Sequence, residues 1–151
     1  MQLKRVVVTG LGALTPIGNN IQEYWNALIS GKSGAAPITY YDTEKHKTKF
    51  ACEVKNFNVE EFIDRKEARR MDKFAQYAIV AGEQAIVDSG ILESNVNKQR
   101  VGVIWGAGIG GLETFQEEVL SYAKGDGTPR FNPFFIPKMI ADIAPAHISM
   151  R

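Results

Sequence analysis

Residues 101–122 read VGVIWGAGIGGLETFQEEVLSY. Val101 to Trp105 is a short apolar run of the kind that forms a strand buried on both faces. GAGIGG, 106–111, follows it, and Leu112 to Tyr122 then carries acidic residues before apolar ones, as a helix does when it starts there. A strand that turns through glycines into a helix is the repeating unit of open α/β sheets.

Gly106, Gly108 and Gly111 also fall on the G-x-G-x-x-G spacing of dinucleotide-binding loops. A dinucleotide fold needs a second strand directly after the helix, ending in an acidic residue for the ribose. Here the helix runs into GDGTPRFNPFF, 125–135, which has no strand periodicity, so Asp126 stands at about the right distance in the wrong context. The motif also comes late, rather than at the first strand-to-helix turn. The other reading is that the glycines let the strand end and the helix start approach backbone or ligand closely, with Ile109 as the one sizeable side chain projecting from the loop. An earlier glycine-rich stretch, TGLGALTPIG at 9–18, has Thr15 where the third glycine would have to be.

Working outward, Arg5 to Thr9 (RVVVT) reads as another strand buried on both faces. Asn20, with Glu23 three residues on, is a helix cap, and Ile21, Tyr24, Trp25, Leu28 and Ile29 keep helical spacing until Gly31. Residues 33–60 form a surface excursion with an extended candidate at Thr48 to Cys52. The clearest helix spans about Arg69 to Asp88, with Met71, Phe74, Ala75, Ala78, Ile79, Gly82, Ala85 and Ile86 on one stripe. Pro137 opens a last helix through KMIADIAPAHISM, 138–150. No repeat or linker divides the chain. Two strands make a poor sheet, and no capping glycine follows Met150, so the expectation is that more sheet should follow Arg151.

At 151 residues and 44% hydrophobic content the chain can bury a core. Lys and Arg total 18 against 17 Asp and Glu. That balance gives no electrostatic case for nucleic acid or an anionic membrane as partner. The start, MQLKRVVVTG, is too short in apolar residues for a signal or a membrane span, so a cytoplasmic location is expected. No metal is expected either, because Cys52 is the single cysteine and His46 and His147 are far apart. Cys52, in FACEV, lacks the helix start or neighbouring base that activates a thiol and is expected to be buried. His46 is expected at the surface and His147 in packing.

Two clusters stand out. In DRKEARRMDKF, 64–74, the cations Arg65, Lys66, Arg69, Arg70 and Lys73 share a helical face, either as a solvated surface or as a site for an acidic partner, with Glu67 and Asp72 offsetting part of the charge. In NPFFIP, 132–137, adjacent phenylalanines point different ways, so at least one is exposed or faces a partner subunit, or both pack in the core.

Taken together, VVVTGLGALTPIGN (6–19), RKEARRMDKFAQYAIVAGEQAIVDSG (65–90), GVIWGAGIGGLETF (102–115) and FNPFFIPKMIADIAPAHIS (131–149) resemble the N-terminal part of the β-ketoacyl-[acyl-carrier-protein] synthases, most nearly type II. The resemblance covers nearly the whole chain. It implies an α/β fold, the first half of a thiolase-like layered helix-sheet fold left incomplete at the C-terminus, with 1–151 as one portion of that domain. It implies fatty-acid elongation by decarboxylative condensation with no cofactor. The implied partners are an acyl carrier protein bearing acyl and malonyl phosphopantetheine thioesters, and a second copy in a homodimer. Ile109, with Gly108 beside it, matches the inner wall of the acyl pocket, and Phe135 matches a residue given to the partner subunit's pocket. Lys66, Arg69 and Arg70, joined by Arg130, match the basic surface that receives the carrier protein. The nucleophilic cysteine, two histidines and a lysine of these enzymes match no residue here, Cys52 and His147 included, so the chain alone is expected to be inactive. A non-catalytic partner subunit of a polyketide-type synthase and, less well, a Rossmann-type oxidoreductase are the rival readings.

Overall fold

Helix α1, Ile21–Ile29, forms where the local signals put it. The Asn20 side chain accepts from the Glu23 N–H at 2.9 Å. At the other end Gly31 adopts φ +67°. Its N–H bonds Leu28 O at 3.1 Å and the Lys32 N–H bonds Ala27 O at 2.9 Å, the paired closure that a left-handed residue allows. The computed structural model to which these elements belong describes residues 3–151. They divide into two compact units, one of residues up to Phe57 with Glu83–Ser94, the other of Asn58–Gly82 with Asn95–Arg151.

In the first unit the excursion carries strands β1, Ala36–Pro37, and β2, Phe50–Ala51. They pair antiparallel with Ala36 opposite Ala51, so a strand does form within the extended candidate at 48–52, over Phe50 and Ala51 only. The glycine-rich stretch at 9–18 lies on the end of the long helix α3, Lys73–Ser89. There the Leu11 N–H donates to Asp88 Oδ2 at 2.8 Å and the Ala13 N–H to Gln84 Oε1 at 3.0 Å.

The second unit holds most of the buried apolar residues. Ile63, Met71, Ala75, Ala78, Ile79, Val80, Ala144 and Ile148 form its core. Its helices are α2, Arg65–Ala68, the first part of α3, α4, Leu112–Lys124, α5, Phe135–Met139, and α6, Ile143–Ser149. Gly82 of α3 gives α6 room to approach: a Cβ there would sit 3.2 Å from Ile148 Cδ1.

Three expectations are corrected. The helix expected from Arg69 begins at Lys73, because Asp72 turns its carboxylate to the Phe74 N–H at 3.3 Å and caps a new start. The helix expected from Pro137 is two helices. Pro145 stands in the first turn of α6, where a missing N–H costs nothing, but its ring would collide with the Ala141 carbonyl in a continuous helix, and Ile140 goes extended instead. The third concerns the strands at 5–9 and 101–105. Neither is hydrogen-bonded into a sheet, and Val6 is 88% and Ile104 99% exposed. A ladder needs a neighbour, and no described residue supplies one.

Candidate functional site

Asp64 begins the site by accepting from the Lys66 N–H at 2.8 Å and capping α2. The chain then tightens through bonds from Arg70 N to Glu67 O and Met71 N to Ala68 O, at 2.9 and 3.1 Å. This turn buries Ala68 and Met71 and leaves Lys66, Arg69 and Arg70 outward. Facing them is the loop after α4, whose Asn132 N–H is held by Glu118 Oε2 at 3.1 Å. Between lies an open cleft of about 680 Å³ lined by Lys66, Arg69, Arg70 and Arg130, with Glu118 and Phe134. All four cations assigned by resemblance to carrier docking therefore share one cleft. Glu118, its one acidic lining residue, is engaged with Asn132.

The cations are held differently. Arg70 lies over the Phe134 ring at 5.0 Å from its centroid, a cation–π contact that fixes the guanidinium without neutralising it. Arg130 pairs with Asp126 at 3.6 Å in a solvent-exposed contact. Asp126, the residue a ribose would require, instead takes the Thr128 N–H at 2.9 Å, and this bond holds its carboxyl below the usual range. Lys66 and Arg69 have no acidic partner for their side chains among the described residues. Like charges gathered in this way repel, and with Glu118 and the Asp126 partner of Arg130 offsetting only part of them the cleft keeps an excess of positive charge, which suits an anionic visitor.

The 106–111 loop is organised by its end. Gly110 has φ +88°, and a Cβ on it or on Gly111 would run into the backbone of α5 at Met139 or Lys138. The Gly111 N–H donates to Met139 O at 2.9 Å. Around Gly106 and Gly108 there is open space. The start of α4 already holds an anion: Asp72 Oδ2 accepts from the Thr114 N–H at 3.0 Å and from Thr114 Oγ1 at 2.6 Å. A pyrophosphate would have to displace that buried carboxylate from the helix end it needs, so the dinucleotide reading fails on geometry. Gly110 and Gly111 approach backbone, as the reading of a close approach to backbone or ligand allows, whereas Gly106 and Gly108 do not.

Ile109 is 73% exposed on this loop beside Gly108. Phe135, at the start of α5, is half-buried between Phe115 and Phe131, with ring centroids 6.2 and 5.9 Å away. Phe134 and Phe135 thus do diverge, one under a guanidinium and one in an aromatic stack. Neither the cationic cleft nor the smaller one beside it, lined by Asp72, Thr114 and Lys138 among others, includes Ile109, Gly108 or Phe135. Cys52 is exposed, against the expectation of burial, because the short strand before it covers only one face. His46 is exposed and His147 is partly buried, as expected. Among the described residues no group of three or more His, Cys, Asp or Glu is placed to hold a metal. No described helix is long and apolar enough to cross a membrane. From sequence Asp72 reads only as offsetting nearby cations, and Thr114 is not singled out. An Asp before a helix start is a legible cap signal, but its second bond, 42 residues away, leaves no local mark.

A protein-family model described as the N-terminal domain of beta-ketoacyl synthase matches residues 3–151. The chain belongs to this family. A 3-oxoacyl-[acyl-carrier-protein] synthase 2 from Synechocystis is 45% identical over 144 residues, 95% of this chain and 34% of that protein. Among solved structures, the ishigamide ketosynthase/chain length factor superposes with a TM-score of 0.77 at 27% identity, over 95% of this chain and 36% of its own. A type II polyketide acyl-carrier protein in complex with its ketosynthase gives 0.74 at 24%, over 98% and 38%. The fold class is therefore that of the thiolase-like ketosynthases. The β-ketoacyl synthase segment seen here spans about a third of the length of these relatives.

Proposed function

We propose that this chain is the N-terminal portion of a β-ketoacyl-[acyl-carrier-protein] synthase of type II, which lengthens fatty acyl chains. In the reaction an enzyme thiolate takes the acyl group from its carrier. Malonyl carrier protein then loses carbon dioxide, and its enolate carbon attacks the acyl thioester carbonyl. A carbon–carbon bond forms, and the enzyme sulfur leaves as thiolate. The nucleophile and histidines that this chemistry requires match nothing among these 151 residues, and Cys52 lies exposed on the excursion beside β2. By this reading the 151 residues contribute docking and pocket wall, further chain completes the sheet beside 5–9 and 101–105, and the segment alone does not condense.

The observation that carries the reading is the convergence of Lys66, Arg69, Arg70 and Arg130 on one cleft in a chain of net charge +1. Such a patch steers an acidic carrier protein and fixes its approach more than it adds affinity. The polyketide ketosynthase captured with its carrier protein supports the same kind of partner. Ile109 and Gly108 then form the inner wall of the acyl tunnel, where glycine lets backbone lie against an alkyl chain and Ile109 limits its length. Phe135 extends to the partner subunit of a homodimer, and the site of action is the cytoplasm. The non-catalytic partner-subunit reading is kept by the likeness to a ketosynthase/chain length factor assembly.

The test is condensation by the full natural polypeptide, given an acyl and a malonyl carrier thioester and read by mass spectrometry. The expected product is a β-ketoacyl thioester two carbons longer, formed with release of carbon dioxide. No product and no acyl-enzyme would favour the non-catalytic subunit.

A further inference from the structure

Asp72 belongs to neither the cationic cleft nor the loop of Ile109, yet it joins them. It is 7% exposed and Thr114 is 4% exposed. One carboxylate oxygen takes the Phe74 N–H at 3.3 Å, which would suffice to cap α3. The other takes both donors of Thr114, at 2.6 and 3.0 Å, across 42 residues of chain. Gly111, immediately before α4, lies so near that a Cβ there would stand 3.1 Å from the same oxygen. Lys73 and Glu113, the neighbours of these two residues, pair at 2.9 Å and link the same helix starts a second time. On the cleft side, Gln76 Nε2 donates to Ala68 O at 3.0 Å and ties the turn bearing Arg69 and Arg70 to α3. Hydrogen bonds thus run from the cationic turn through Gln76, whose backbone N–H donates to Asp72 O at 3.2 Å, and Asp72 to Thr114 in the first turn of α4, directly after the glycine loop.

We propose that Asp72 is a positioning residue: through Thr114 it sets loop 106–111, and with it Ile109, relative to the segment bearing Lys66, Arg69 and Arg70, so that selection of acyl length depends on this bond. The inference rests on the assignment of Ile109 to the acyl tunnel and of the cations to carrier docking. The physical ground is asymmetry of cost. A hydroxyl bond to a buried carboxylate at a helix start is short and charge-assisted, and removing the hydroxyl leaves a carboxylate that is 7% exposed with one donor fewer. The cheapest relief is movement of the α4 start, which carries the loop with it.

The experiment measures kcat/KM of the full natural polypeptide for carrier thioesters of increasing acyl length, in the wild type, Thr114→Val, Thr114→Ser and Ile109→Phe, with thermal unfolding alongside. T114V keeps the shape and removes the hydroxyl; T114S restores it. The expected result is a change on the order of ten-fold in the ratio of long- to short-chain kcat/KM for T114V, as a small displacement of a substrate-facing group produces. The ratio returns to the wild-type value in T114S, and the affinity for carrier protein lacking an acyl group is unchanged throughout. If T114V loses stability and rate equally for all lengths while I109F shifts the ratio, Asp72 is a structural cap and the coupling is overturned with the acyl-loop reading intact. If I109F leaves the ratio unchanged as well, the proposal falls together with the assignment of Ile109. Thr114→Ala supports the same comparison should T114V not fold.

Discussion

A Cβ at Gly111 would meet the Lys138 carbonyl and come within 2.9 Å of Met139 Cα, both backbone atoms that cannot rotate away. Gly111→Ala should therefore cost about 1–3 kcal/mol in thermal or denaturant unfolding. Gly106→Ala, with nothing within 4 Å of its Cβ, should be neutral or slightly stabilising. An equal response of the two variants would contradict the packing of this loop on α5. The spacing of glycines drew attention to 106, 108 and 111, whereas the residues the fold requires to be glycine are 110 and 111. The difference arises because the constraint comes from α5, more than twenty-five residues on, and no local pattern encodes it. His147 offers a second test. Burial lowers its pKa; Glu67 opposes this and Arg151 adds to it. The folded state thus favours neutral imidazole, and its contribution is fully present above the unfolded pKa of about 6.5. As pH falls through that value toward the lower folded pKa, the unfolded chain binds the proton more readily and stability is lost. A pH series of unfolding midpoints should show this decline in the wild type and a flatter one in His147→Gln.

Element boundaries were legible where their causes are local. The Asn20 cap and the Gly31 closure of α1 need only neighbouring residues, and both stand as read. The split at Ile140 was also local, through Pro145, but the apolar spacing of Met139, Ile140 and Ile143 masks it. The strands at 5–9 and 101–105 show the opposite case: composition marks a strand, but only a partner makes one. Helix α6 is held by what it buries, since Ile148 packs over Gly82 of α3 and α6 has only 7 residues of its own. Ile148→Ala should cost about 2–5 kcal/mol, because both the transfer of the side chain and the cavity left behind count against it. A loss below 0.5 kcal/mol, the scale of a surface substitution, would mean that α6 is not seated on α3.

For the molecule as a whole, charge arrangement matters more than charge. A net charge of +1 gives no field worth the name, yet four cations face one cleft and a single carboxylate among its lining residues is already engaged. Lys66, Arg69 and Arg70 were legible as a group because they lie on one turn. Arg130 reached the group through the resemblance alone, since only the tertiary fold brings the loop after α4 opposite α2. The dinucleotide alternative could be weakened from sequence, but it took the Asp72 carboxylate at the start of α4 to close it. The measurement that bears most directly on the account is the affinity of acyl carrier protein for the full natural polypeptide across a salt series, in the wild type and in a Lys66→Glu, Arg69→Glu double variant. Wild-type binding should weaken steeply with salt, and the double variant should bind about ten-fold or more weakly at low salt with most of its salt dependence gone. Equal affinity and equal salt dependence in the two proteins would contradict carrier docking at this cleft.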